Sequence, residues 1–170
     1  MPLSAFRRIG TRPSASMYSR QRNALIDAML YRGRTRFVKP QLIEREEGIR
    51  ALVRAVREGW PLYYLPDMDF GPRESVFVPF FGTPAATITA LARIARLAGA
   101  VVVPAVTQQL PHGYVLRFYP AWNDFPSGDA EADARRMNAF IEARVLEMPD
   151  QYHWLHRRFK TRPPGLAPVY

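Results

Sequence analysis

With 170 residues, 48% of them hydrophobic and 23% charged, the chain is the size of one domain and has enough apolar residues to build a core. It contains no cysteine, which excludes a disulfide scaffold, a thiol nucleophile and thiolate metal sites. The net charge of +9 is uneven: residues 1–40 carry nine basic and one acidic side chain, 41–150 eleven and fourteen, and 151–170 four and none. An ordinary globular body with two basic ends suits an anionic partner such as nucleic acid, an acidic membrane surface, a phosphorylated ligand or an acidic protein.

The start, Met1-Pro2-Leu3-Ser4-Ala5-Phe6-Arg7-Arg8, has no long apolar run after its charges, unlike a secretory signal. No later stretch reaches the roughly eighteen apolar residues of a membrane span. Residues 1–22 alternate Arg, Ser, Pro and Gly without a period and read as a basic, poorly ordered lead-in, with the domain over 23–170. Asn23 is placed to cap a helix through about Tyr31, which Gly33 breaks. Ile49, Leu52, Val53 and Val56 predict an amphipathic helix over roughly 42–58, ended by Gly59 and Pro61.

Leu62-Tyr63-Tyr64-Leu65 reads as a buried strand, Pro66–Glu74 as a polar loop, and Val76–Phe81 as a second extended segment. From about Pro84 the apolar spacing turns helical, through Ile88, Leu91, Ala92 and Ala95. The run Ala100–Val106 predicts a strand buried on both faces, followed by a Pro111-His112-Gly113 turn and an antiparallel neighbour at Tyr114–Tyr119. Asp129 opens a helix to about Met148 with Met137, Phe140, Ile141 and Val145 inward. This order predicts an α/β fold, a mixed sheet flanked by helices, in which ligands favour loops at strand ends.

The densest polar cluster is Pro66-Asp67-Met68-Asp69-Phe70-Gly71-Pro72-Arg73-Glu74. Its chemistry suits a divalent cation, an oriented base or a phosphate; the plainer alternative is a solvated loop whose Asp side chains bond their own backbone. The run Tyr152-His153-Trp154-Leu155-His156-Arg157-Arg158-Phe159-Lys160 suits a phosphate or lipid headgroup, or else a terminal helix docking Trp154 and Phe159 in the core. A His–Asp or His–Glu couple would activate a hydroxyl nucleophile. Five positions after His112, His153 and His156 stand Arg117, Arg158 and Thr161, so the 170 residues contain no H-x4-D/E element. H-E-x-x-H, G-x-S-x-G, P-loop and G-x-G-x-x-G patterns are also missing.

The segment Leu65-Pro66-Asp67-Met68-Asp69-Phe70-Gly71-Pro72-Arg73-Glu74-Ser75-Val76-Phe77-Val78-Pro79-Phe80-Phe81-Gly82 resembles the bacterial lipid A late acyltransferases, the lauroyl/myristoyl family of lipopolysaccharide assembly. Ala86-Thr87-Ile88-Thr89, Gly99-Ala100-Val101-Val102-Val103-Pro104 and Gln151–Pro163 agree with it, and the resemblance runs from about Met17 to Tyr170. It implies a glycerolipid-acyltransferase-like fold, N-terminally truncated here. It further implies transfer of an acyl chain from an acyl carrier protein thioester to a Kdo-containing lipid A precursor, at the cytoplasmic face of the bacterial inner membrane. Such enzymes need no metal or other cofactor, and nucleic acid is not among their partners. They use an H-x4-D/E couple lying before the region present here, and usually an anchoring segment, so this chain by itself is expected to be inactive.

The same resemblance implies substrate-binding roles for Asp69 and Arg73 in the loop, with Arg73 facing a phosphate or carboxylate and Asp69 orienting that Arg or a neighbouring backbone. It places Arg20, Arg34 and Arg36, with Arg22, in a basic stretch suited to lipid A phosphates, Kdo carboxylates or the acidic carrier. Where many relatives have Tyr-Arg-Pro, this chain reads Tyr18-Ser19-Arg20. Arg157 and Arg158 serve similarly, with a structural role for the terminal block as the alternative. From a different class, the charge alone also fits a basic binding module for anionic membrane or nucleic acid, with steeply salt-dependent binding.

Overall fold

The computed structural model describes residues 13–170, which form two compact units. The first comprises the described residues up to Tyr64, with 97–100 and 105–119; the second comprises 65–96, 101–104 and 120–170.

The first unit is built on a three-stranded parallel sheet in the order β2-β1-β3, from β1 (Ala15–Tyr18), β2 (Gln41–Glu44) and β3 (Leu62–Tyr63). Helix α1 (Ala24–Thr35) connects β1 to β2, and α2 (Gly48–Arg57) connects β2 to β3. Parallel neighbours need such crossovers because no tight turn can reverse the chain twice. The buried side of α2, Ala51, Leu52, Val53 and Ala55, packs against the sheet's Ala15, Tyr18 and Ile43. Asn23 caps α1 by accepting hydrogen bonds from the Leu25 and Ile26 N–H groups at 2.9 and 3.2 Å. The β6–β7 hairpin (Ala105–Leu110, Gly113–Phe118) is antiparallel and turns at Pro111-His112.

The second unit holds an antiparallel hairpin, β4 (Ser75–Phe80) and β5 (Thr83–Ile88), with all but the last two residues of α3 (Ala90–Ala98) following β5 and α4 (Ala130–Glu147) packed on β4. The hairpin turns at Phe81-Gly82, both at positive φ (48° and 75°). Asp129 caps α4 through the Glu131 and Ala132 N–H groups. Phe80, 1% exposed, is the core anchor, with the rings of Phe81, Tyr152 and Phe159 at 4.9, 6.2 and 6.0 Å. Among the described residues no helix is long and apolar enough to cross a membrane.

The class is mixed α/β as expected, with three small sheets among the described residues in place of one mixed sheet. Several local expectations are corrected. A buried strand, β1, lies inside what the sequence reads as a lead-in, because parallel pairing on both sides outweighs the weak apolar character of Ala15-Ser16-Met17-Tyr18; residues 1–12 lie outside the described residues. Gly33 sits within α1 rather than breaking it. Residues 42–47 are strand and one turn of 3-10 helix, so α2 is shorter than predicted. Pro84–Ile88 is strand, not helix, since it completes the ladder with β4; the helical spacing belongs only to α3. Residues 101–104 are not a buried strand: Val101 and Val103 are exposed, and Val102 O instead accepts from Trp122 N at 2.9 Å. The terminal block forms turns rather than a helix.

Candidate functional site

In the second unit the Pro66–Glu74 loop and the terminal block meet at Asp69. Its carboxylate is 2% exposed: Oδ1 accepts from Gly71 N and Thr161 Oγ1, and Oδ2 from Thr161 N, all at 2.9 Å. Gly71 reaches this bond from φ +94°, where a side chain would be strained. The Asp69 N–H donates to His156 Nε2 at 2.8 Å. An accepting Nε2 places the proton of the neutral imidazole on Nδ1. Asp69 therefore joins the loop to the terminal block through three hydrogen bonds, two to Thr161, 92 residues away, and one to His156, and makes a fourth within its own loop to Gly71 N.

Arg158, also 2% exposed, runs into the unit beneath this joint. Its Nη1 donates to Ala86 O at 2.6 Å, and its Nη2 to Thr87 Oγ1 at 2.8 Å and Asn138 Oδ1 at 3.3 Å. The guanidinium lies 5.2 Å from the centre of the Phe80 ring. Asn138 completes the network by donating to Pro79 O and Thr87 Oγ1 at 3.0 and 3.1 Å. A short Asn in the apolar stripe of α4, next to Met137, is the signal that sequence reasoning passed over. Thr161, His156 and Thr87 gave no such signal. Arg162 donates to Pro84 O at 2.7 Å, so the terminal block grips β5 at two points.

Burial pushes Tyr152 up to about 12, helped by the Asp67 charge, and its hydroxyl finds no partner among the described residues. Burial is also the main cause holding His156 below its ordinary value. The unfolded chain then binds the proton more readily than the folded one, so the His156 contribution is complete above about pH 6.5 and is lost as the pH falls from there through the lower folded value. Protonation also forces Nε2 to surrender the bond from Asp69 N. His156→Gln keeps an accepting oxygen but removes the titration. Denaturation midpoints at pH 8 and at about pH 5.5 are expected to fall less for this variant than for wild type; equal falls would remove His156 from the account.

Arg73 and Arg157 are exposed. Arg73 makes no hydrogen bond or ion pair with the described residues, Asp69 included, and Arg157 lies 5.9 Å from the Tyr170 ring centre. The sequence candidates of this unit thus divide: Asp69 and Arg158 are bonded inside the framework, while Arg73 and Arg157 present guanidinium groups to solvent.

In the first unit Tyr18, at the end of β1, donates to Asp27 Oδ1, which also accepts from Gln21 N at 2.8 Å. The bond from the Gln21 N–H, then that from Tyr18, lowers the Asp27 carboxyl; the hydrogen bond to Asp27, then burial, raises the Tyr18 hydroxyl. Arg34 stacks 5.2 Å from the Tyr18 ring centre and donates to Met17 O at 3.3 Å. Arg20 pairs with Glu44 at 3.1 Å, and Arg36 lies 4.2 Å from the Phe37 ring centre. Beside α1 a shallow cleft of about 480 Å³ is lined by Arg20, Arg22, Asp27, Tyr31 and Arg32 among others.

The profile of the family described as bacterial lipid A biosynthesis acyltransferase matches residues 6–161. The chain belongs to this family. Among similar lipid A acyltransferases, the lipid A biosynthesis lauroyltransferase of Escherichia coli K12 is 40% identical over 161 residues, which is 93% of this chain and 52% of that protein. The lipid A biosynthesis acyltransferase of Haemophilus influenzae Rd is 41% identical over 155 residues, 90% and 48%. The lipid A biosynthesis myristoyltransferase of E. coli K12 is 37% identical over 158 residues, 92% and 49%. The chain spans about half the length of the curated relatives it matches. The two blocks on which the lipid A acyltransferase resemblance was read, Asp67–Arg73 and Trp154–Pro163, are the ones that Asp69 bonds together.

Proposed function

We propose that this chain carries the substrate-binding part of a late lipid A acyltransferase with a glycerolipid-acyltransferase-like fold, corresponding to the region that follows the catalytic base. The donor is an acyl carrier protein thioester, the acceptor a hydroxyl on a Kdo-containing lipid A precursor, and the place of work the cytoplasmic face of the inner membrane. The supporting observation is that the two family blocks are stapled at Asp69 while Arg73, in the same block, is exposed and has no hydrogen bond or ion pair among the described residues.

In the reaction the acceptor oxygen attacks the thioester carbonyl, the C–O bond forms, the C–S bond breaks and the hydroxyl proton passes to a base. By family resemblance that base is the histidine of an H-x4-D/E element, which the 170 residues do not contain, so this chain alone is expected to give no transfer. Arg73 and Arg157 would bind phosphate or carboxylate by fork geometry, and Arg20, Arg34 and Arg36 would meet acidic groups of acceptor or carrier. Asp69 and Arg158 act one step behind them, fixing the loop and the terminal block.

The test joins this chain to an upstream segment carrying an H-x4-D/E element and measures transfer from acyl carrier protein to the lipid A precursor. Arg73→Ala is expected to lower kcat/KM about ten- to a hundredfold, the loss of one charge-assisted contact, and Arg7→Ala by far less. Equal effects would sink the proposed site. The DNA upstream of Met1 tests the placement: an in-frame H-x4-D/E element there supports it, and a stop codon would make the resemblance one of ancestry.

A further inference from the structure

Helix α1 is inside out. Its hydrogen-bonding side faces β1: Asp27 takes the bonds from Tyr18 and Gln21 N, Arg34 bonds Met17 O, and Tyr31 meets the Tyr18 ring edge-on at 6.3 Å. Its apolar side faces water. Leu25 is 71% and Met29 67% exposed, Ile26 and Leu30 are exposed too, and no residue of the helix is buried. At 100° per residue these four side chains span an arc of about 140°, wide enough for a whole apolar face.

The surroundings of that face are basic. Between Ser14 and Ile43 the chain carries six basic residues and one acidic one, Asp27, which is turned to β1 and bonded there. Arg22 precedes the helix, Arg32 lies on the edge of the arc beside Leu25, and Arg36 and Lys39 follow; all four are exposed. A continuous apolar arc bordered by cations at its edge and both ends complements an anionic lipid bilayer, whose headgroups take the arginines while the four apolar side chains enter the acyl boundary. An acidic protein surface would satisfy the arginines but leave Leu25, Ile26, Met29 and Leu30 against polar groups.

We propose that α1 docks this chain on an anionic bilayer, with Leu25, Ile26, Met29 and Leu30 inserted and the flanking arginines on the headgroups. This deepens the membrane-surface part of the proposed function by naming the element that makes the contact, and its test uses neither acyl donor nor lipid A.

The purified chain is floated with vesicles of phosphatidylcholine, with and without phosphatidylglycerol. Wild type is expected to partition at least about tenfold more strongly to the anionic vesicles, and to lose most of that preference when salt rises from about 0.1 M to 1 M. The double variant Leu25→Asp/Met29→Asp is expected to lose about tenfold or more, while Leu146→Asp, a like change at an exposed position of α4, leaves binding unchanged. Both α1 changes fall on exposed positions, and an unaltered circular dichroism spectrum checks that the fold survives. Equal flotation of the double variant and wild type overturns the proposal, as does equal loss in Leu146→Asp. A wild-type dimer that the double variant converts to monomer also overturns it, because the face then belongs to a second copy.

Discussion

Arg158→Ala is expected to destabilise the second unit by about 3–5 kcal/mol, the combined cost of the cavity left by a large buried side chain and of buried acceptors left without their donor. The guanidinium is 2% exposed and its bonded acceptors are neutral: Ala86 O, Thr87 Oγ1 and Asn138 Oδ1. Burial lowers its affinity for the proton, so the site is costly for the charge and the acceptors must offset that cost. Alanine leaves those acceptors short of a donor in a place water does not reach, and opens a cavity against the Phe80 ring, 5.2 Å from the guanidinium carbon. Arg158→Met separates the two contributions. It restores much of the volume, removes the buried charge and leaves only the unmet acceptors, so its loss is expected near 1–3 kcal/mol. Urea denaturation of the three proteins measures this; a methionine variant as unstable as the alanine variant would show that hydrogen bonding, not packing, holds the terminal block.

This network also marks the limit of what the residues alone reveal. Helix α4 was legible because Asp129, an apolar stripe and eighteen uninterrupted residues agree, and the β6–β7 hairpin because Pro111-His112-Gly113 separates two extended runs. The family was legible from two blocks whose composition is unusual at every position. What those blocks do to one another was not, because the bond from Thr161 to Asp69 crosses 92 residues and leaves no local pattern. Pro84–Ile88 was misread for a related reason. Its neighbours in sequence are spaced like a helix, while its partner, β4, is set by a two-residue turn whose φ values no apolar period records. The inverted α1 went unnoticed because spacing shows that a helix has an apolar side, and only contacts show which side meets the body.

Asp69→Asn decides whether the aspartate of the family block is framework or contact. The carboxylate accepts three hydrogen bonds, two at Oδ1 and one at Oδ2. Asparagine keeps one oxygen, enough for Gly71 N and Thr161 Oγ1, but turns an NH2 toward the Thr161 N–H, donor against donor. The expected cost is about 1.5–3 kcal/mol, one charge-assisted bond to a buried group. Asp69→Ala strands all three donors and is expected to cost about 3–5 kcal/mol. Thr161→Val removes only the hydroxyl bond, for about 1 kcal/mol, and combined with Asp69→Ala it should add almost nothing, since the bond is already gone. In a transfer-competent enzyme carrying the upstream element, Asp69→Asn should lower the folded fraction while leaving KM for the lipid A precursor close to wild type, the opposite of Arg73→Ala. An asparagine variant with an unchanged urea midpoint and a raised KM would return Asp69 to the substrate and leave the loop held by the His156 bond and its own Asx turn.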